Sequence, residues 1–350
     1  MSTKAVGLFS GGLDSCLAVK LIQRQGIEVT CMVCDLWRHP KTEDDNYPLQ
    51  AMVEELGAEY KYVDLSNDYP AILLSPRWGY GTAVNPCIDC KYLMMTRAAK
   101  MMDKIGASFV FTGEVLGQRP MTQNKVSMDL LQRKSGLGGR LVRPLCGALL
   151  PPTVPEEEGI LDRSLLLDIQ GRSRQRQLKM AKELGLKGYG APGGGCILTQ
   201  YEYGAKVQDY LLNCDSGKLS PADLELFKIG RHFRISANAK VIVGKNLEDN
   251  NRLEEHREGR IVLEVADFPG PIVLLDGNSS VKDIETAAAI TVRYSKAKGQ
   301  TNVDVNIEGY EVLDKLNVDS ITEDELDRYR IEFNRGALDI YLKEIKKKSE

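Results

Sequence analysis

The stretch that most restricts the fold is KAVGLFSGGLDSCLAVKLI, residues 4–22. Residues 4–9 are a short apolar run, two glycines follow at 11 and 12, and Leu17, Leu21 and Ile22 recur at helical spacing. A strand that passes through glycine straight into a helix gathers backbone N–H groups and a helix N-terminus at one point, which suits an anion. The alternation continues. Residues 28–35 read as a strand, Leu49, Met52, Val53 and Leu56 as a helix, 60–65 as a strand, 91–104 as a helix and 107–112 as a buried strand. This predicts an α/β fold, a doubly wound and mostly parallel sheet with helices on both faces. Met94, Met95, Met101 and Met102 fit the core of that fold.

The proline- and acid-rich PPTVPEEEGILD at 151–162 ends the first sheet layer. After Leu224 the texture changes. Strand-like runs at 233–243, 260–265 and 271–275 precede a small-residue helix at 282–297 and an alternating strand at 301–307. We expect a domain over 1–215, a C-terminal α+β domain over 224–310 and a helical tail over 311–350, which a chain of 350 residues can accommodate. No apolar run approaches the roughly 20 residues that span a bilayer. The N-terminus lacks the form of a signal peptide, so the expected location is cytoplasmic, without a membrane partner.

The glycine loop is neither G-x-x-x-x-G-K-[ST] nor G-x-G-x-x-G. Read from residues alone, it is an anion cradle or a tight strand–helix turn with Asp14 or Ser15 near the cap. Ser10-Gly11-Gly12-Leu13-Asp14-Ser15 resembles the SGGxDS signature of the PP-loop ATP pyrophosphatases, at the strand-to-helix junction where that family carries it. The resemblance implies cleavage of ATP to AMP and pyrophosphate, with adenylation of a carbonyl oxygen that a nitrogen or sulfur nucleophile then displaces. It places Ser10, Gly11, Gly12 and Ser15 at the pyrophosphate and Asp14 at Mg²⁺, a cation that takes oxygen ligands. Asp35, ending the second strand, is expected near the adenosine.

Eight cysteines, at 16, 31, 34, 87, 90, 146, 196 and 214, are too few for a disulfide scaffold in a chain this long. Cys87 and Cys90 form a C-x₂-C pair in NPCIDCK, which could chelate a metal, form a redox disulfide or simply pack. Cys196 lies in glycine-rich APGGGCILT, which could let it reach the pair. Three thiolates suit a [4Fe-4S] cluster with one open iron better than a closed zinc site. Persulfide chemistry, with a second cysteine resolving by disulfide formation, is the alternative. Cys16, Cys31, Cys34 and Cys146 read as core, and Cys214 lies outside the motifs. Histidines at 39, 232 and 256 lack partner spacing, which disfavours a His triad or an HExxH site.

Residues 112–123, TGEVLGQRPMTQ, and 141–145, LVRPL, resemble motifs of the tRNA 4-thiouridine synthetases, where other PP-loop thiolases tend to have TGH. By this resemblance Gly113 and Gln118 join the nucleotide site. The signature begins at residue 10 with no RNA-binding extension before it, and no rhodanese-like domain is apparent. Sulfur delivery is therefore expected to differ, in keeping with a cluster, the donor being a cysteine desulfurase or free sulfide.

The net charge of −3 hides basic clusters: Arg119, then Arg133, Lys134, Arg140 and Arg143, then Arg172, Arg174, Arg176, Lys179, Lys182 and Lys187. Such clusters fit a phosphate-tracking face or an ordinary solvated surface. KVIVGKNLEDNNRLEE, ADFPGPIVLL and TAAAITVRYSKAK resemble the RNA-binding domain of the NFACT family, which places Lys245, Asn250, Asn251 and Arg293 toward RNA. The combined expectation is ATP-dependent thiolation of tRNA, 4-thiouridine over 2-thiouridine, by a protein that could be a homodimer. The rival readings are a PP-loop amidotransferase or small-molecule thiolase, an RNA-binding translation quality-control factor, and a desulfidase, which the intact ATP loop disfavours.

Overall fold

A computed structural model describes residues 3–36, 47–190, 195–213, 218–277 and 279–349. Close contacts divide the chain into one unit of residues 1–81 and 85–196 and a second of 82–84 and 197–350. The division falls before the helix over 201–213, not after it as the expected boundary at 215 has it.

In the first unit the elements run β1 (Lys4–Phe9), α1 (Leu13–Gln23), β2 (Glu28–Asp35), α2 (Tyr47–Glu55), β3 (Glu59–Asp64), α3 (Tyr69–Leu74), α4 (Cys87–Ile105), β4 (Phe109–Thr112), α5 (Lys125–Lys134), β5 (Leu141–Val142), α6 (Val154–Glu157) and α7 (Gln175–Glu183). The five strands pair in parallel in the order β3-β2-β1-β4-β5. Alternation along β1 sends Ala5 and Phe9 to one face, where they meet Cys16, Val19 and Ile22 of α1. Val6 faces the other way, onto Met95, Ala98 and Met102 of α4. The strands are therefore apolar on both sides, as a sheet covered on both faces requires. Leu13, Leu17 and Leu21 take the opposite side of α1 and pack with Ala181 and Met180 of α7.

The second unit contains α8 (Tyr201–Asn213), α9 (Pro221–Leu226), β6 (Arg231–Ser236), β7 (Ala239–Val243), α10 (Leu247–Glu254), β8 (Ile261–Val265), β9 (Val273–Gly277), α11 (Val281–Tyr294), β10 (Val303–Glu308), β11 (Lys315–Val318), α12 (Glu323–Asp327) and α13 (Arg335–Ser349). Its six strands are antiparallel in the order β11-β10-β8-β9-β7-β6. The run read as one strand over 233–243 is a hairpin, and the expected helical tail contributes β11 to the sheet. Ile284, Ala287, Ala288 and Ile290 of α11 join the core on one face of this sheet. Leu226, Ile229 and Leu253 cover Ile242, Val262 and Leu274 on the other. Among the described residues no helix is long and apolar enough to cross a membrane.

Candidate active site

Strand order changes direction at β1, since β2 lies on one side and β4 on the other. The carboxyl ends of the strands at such a point form the crevice where open α/β sheets bind ligands. The loops after β1 and β4 meet there, and helices that cross back over a parallel sheet start from the same edge. The N-termini of α1 and α4 thus share it.

The loop after β1 is shaped by glycine. Gly11 adopts φ +70, and an added Cβ would stand 2.4 Å from Leu49. Gly12 begins α1 with no side-chain cap, so the helix terminus is presented by backbone alone. Gly190 bridges to Gly12 in parallel, its N–H donating to the Gly11 carbonyl at 3.1 Å. Gly113 after β4 presses so close that a Cβ would lie 2.6 Å from the Asp14 carbonyl carbon and oxygen. The Ser15 hydroxyl donates to the Gly12 carbonyl at 2.7 Å, and the Ser10 hydroxyl reaches Ser15 at 3.4 Å.

Asp14 sits in the first turn of α1. Its Oδ2 accepts from Gln118 Nε2 at 2.7 Å and lies 3.9 Å from Arg174. Its Oδ1 is buried with no hydrogen-bond partner. Gln177 of α7, wholly buried, donates to Gln118 Oε1 at 3.2 Å and fixes the amide that holds Asp14. An unpartnered carboxylate oxygen beside uncapped helix amides fits a divalent cation carrying a polyphosphate. Asp35 ends neighbouring β2, buried, and accepts from Tyr62 at 3.1 Å. The structure thus gathers Ser10, Gly11, Gly12, Asp14, Ser15, Gly113 and Gln118, with Asp35 on the same edge. Arg174 and Gln177 were not read as site residues. Their only sequence signal was a basic run, and it pointed to RNA.

Glu114, 1% exposed, follows β4. It accepts from Arg143 Nε at 3.1 Å and Thr112 Oγ1 at 3.2 Å, with Lys91 of α4 at 3.7 Å. Burial alone would raise its pKa, but the Lys91 and Arg143 charges and these hydrogen bonds outweigh it and hold the carboxyl below its ordinary value. Arg143, 4% exposed, also donates to Gln132 and to the Met128 carbonyl. The expectation that Arg143 faces RNA is therefore corrected: it neutralises a buried carboxylate. Arg140 is half-buried and committed to both oxygens of Glu158 and to the Ser108 carbonyl. Arg119, Arg133 and Lys134 are exposed.

Cys87 opens α4, and its sulfur accepts from Asn85 at 3.1 Å. Burial pushes the Cys90 thiol up to about 12, with Cys196, Cys87 and Cys34 adding to the rise and Lys91 opposing it. Cys196 is exposed. Among the described residues no group of three or more His, Cys, Asp or Glu could hold a metal ion. Cys87 and Cys90 are half-buried, and both Cys87 and Cys196 lie within electrostatic reach of Cys90; these are the three residues expected to hold an iron–sulfur site. Burial likewise pushes Cys16 and Cys146 up to about 11 and Cys31 up to about 12, as core thiols. Cys34, read as core, is only half-buried and lies within electrostatic reach of Cys90. Cys214, His39 and most of the glycine run before Cys196 lie outside the described residues.

In the second unit Lys245 and Asn251 are exposed. Asn250 is turned inward, its Oδ1 accepting from Ile272 N–H at 3.2 Å, and Arg293 pairs with Glu323. Those two expected RNA contacts are occupied within the protein.

Residues 3–134 match the family model described as the tRNA methyl transferase HUP domain, and residues 230–330 that described as the NFACT protein RNA binding domain. The first segment is thus similar to a HUP domain and the second to an RNA-binding domain of the NFACT type. Segments of the chain are similar to the tRNA-specific 2-thiouridylase MnmA of a Nitratiruptor species, 30% identical over 32% of this chain and 35% of that one. They are also similar to a probable tRNA sulfurtransferase of Methanosarcina acetivorans, 30% identical over 32% of this chain and 28% of that one. The chain spans about a third of the length of these relatives. A 4-thiouridine synthetase solved with RNA and ATP aligns over 65% of this chain and 50% of that one, at 18% identity and a TM-score of 0.39.

Proposed function

We propose that the protein thiolates a uridine of tRNA at the expense of ATP. The uracil carbonyl oxygen attacks the α-phosphorus, pyrophosphate leaves, and the base carbon becomes electrophilic. Sulfur carried on cysteine then adds to that carbon, and AMP departs with the oxygen. Magnesium, held at Asp14 Oδ1, would neutralise the departing pyrophosphate. The α1 N-terminus and the Gly11–Gly12 amides bind the phosphates, and Gln118, braced by Gln177, keeps Asp14 turned to them. Arg174 adds a positive charge.

One observation supports linking the two halves of the reaction. The Gly190 N–H is bonded to the phosphate loop, and Cys196 follows six residues later, at most about 21 Å along the chain. Cys196, the exposed thiol, is suited to take sulfane sulfur from the persulfide of a cysteine desulfurase, whose own thiol leaves. Free sulfide loads it only by opening a disulfide between Cys196 and Cys87 or Cys90, which supplies the two oxidising equivalents and releases the second thiol. The terminal sulfur of the Cys196 persulfide attacks the base carbon. A second thiol, Cys87 or Cys90, then attacks the Cys196 sulfur, freeing the thiolated base and leaving a cysteine disulfide for reduction by an external thiol. The product is read as 4-thiouridine on TGEVLGQ, with 2-thiouridine the other outcome of the same assay.

Unmodified tRNA incubated with ATP and sulfide, then digested to nucleosides, tests the reading. A thiouridine that forms only with ATP supports it, and ATP–pyrophosphate exchange indifferent to tRNA would favour a small-molecule substrate. Iron at cluster stoichiometry in protein purified without oxygen would replace the persulfide with an iron–sulfur carrier on the same thiols.

A further inference from the structure

The loop before α4 is tied to that helix where the cysteines sit. Asp89 lies between Cys87 and Cys90, 6% exposed, and accepts from the Arg77 N–H at 2.8 Å and the Trp78 N–H at 3.2 Å. The carboxylate thus holds the main chain of the loop. Gly79, at φ +78, turns the loop, and Gly81 anchors its far end by donating to the Asn85 carbonyl at 2.9 Å. There is no room for a side chain at Gly81, where a Cβ would stand 2.1 Å from Met121 Sδ. The loop is secured without help from the indole.

Trp78 makes contacts of its own. It is half-buried and stands edge-on to Tyr92 of α4, ring centroids 5.3 Å apart at 71°. The exposed Arg77 guanidinium lies over the indole, 5.0 Å from its centroid.

We propose that Trp78 and Arg77 form a stacking platform for an unpaired nucleotide of the RNA substrate, placing that nucleotide beside the thiols of α4. The proposal rests on the reading that RNA is the substrate. Chemistry on a ring carbon requires the base to leave its helical stack. An unstacked base regains that interaction on an aromatic ring, and a guanidinium on the same ring can stack with it or turn to its phosphate. Stacking tolerates any base, so the platform fixes position and leaves the choice of uracil to polar groups elsewhere.

The chain has two tryptophans, Trp37 and Trp78. In a Trp37→Phe protein, Trp78 is the sole indole, and its fluorescence is titrated with single-stranded oligouridylate, tRNA transcript and duplex RNA without ATP. We expect quenching by the first two and little by the duplex. Trp78→Ala should weaken oligouridylate binding roughly tenfold, the scale of one base–aromatic stack, and Trp78→Phe should keep most of the affinity. Arg77→Gln should lower the salt dependence. ATP binding should be unchanged in all three, which separates a platform from a folding defect. Unquenched Trp78 with unaltered RNA affinity in Trp78→Ala overturns the platform even if the wild type forms thiouridine. Quenching in a protein that forms none keeps the platform and overturns the thiolation reading.

Discussion

Replacing Glu114 by glutamine should loosen the first unit without removing any group that touches nucleotide. The glutamine oxygen can still accept from Arg143 Nε and Thr112, now 3.1 and 3.2 Å from the carboxylate, but the negative charge is gone. Arg143 is 4% exposed and would keep its charge with its carboxylate partner gone and Lys91, a like charge, nearby. Breaking a buried pair in this way costs about 3–5 kcal/mol. Because the amide preserves the hydrogen bonds, the lower end, about 3 kcal/mol, is expected. For a unit of this size each kcal/mol moves the midpoint by about 2–4 °C, so the first transition should fall by roughly 6–12 °C. The assay is thermal unfolding of the full chain by circular dichroism, with Glu114→Gln, Arg143→Gln and the double variant forming a cycle. The double variant should be much less destabilised than the sum of the singles. A Glu114→Gln midpoint within about 2 °C of wild type, with additive singles, would refute the buried pair. It would also return Arg143 to the candidates for RNA contact.

Four further outcomes are expected. The Glu114 carboxyl is held below its ordinary pKa, so the stability it adds is present above the unfolded value and lost as pH falls through the folded one. Glu114→Gln should flatten the acid limb of a urea stability profile. Lys206 is the opposite case. Burial first, then Lys245 and Lys240, bring its pKa down to about 8 from 10.5. The unfolded chain therefore binds more protons, stability of the second unit should rise from pH 8 to 10.5, and Lys206→Met should remove that rise. Gly113→Ala drives a Cβ against Asp14 backbone, which no rotamer can relieve, so ATP affinity should drop at least tenfold by calorimetry. Cys196→Ser should abolish thiouridine formation while tRNA-dependent ATP–pyrophosphate exchange persists, because adenylation precedes sulfur transfer.

The features legible in the sequence were local ones. SGGLDS announces itself because strand, glycines and helix are contiguous, and the succession of short apolar runs and helical patterns announces the parallel sheet. Features that depend on distant partners were not legible. Arg143 looks like its basic neighbours until Glu114, 29 residues away, is seen to claim it. Asn250 and Arg293 sit in segments that resemble an RNA-binding domain, yet their side chains are taken by Ile272 and Glu323. Arg174 and Gln177 belong to the site only because Leu13, Leu17 and Leu21 draw α7 onto α1. Spacing likewise pairs Cys87 with Cys90 but says nothing of Cys34, which the fold of β2 brings within electrostatic reach of Cys90.

The account is tested most directly by measuring thiouridine and AMP together in one reaction of wild-type protein with unmodified tRNA, ATP and sulfide. It predicts one AMP for each thiouridine, with neither formed when Asp14 is replaced by alanine. AMP formation that proceeds equally without tRNA, or thiouridine that appears without ATP, would contradict it.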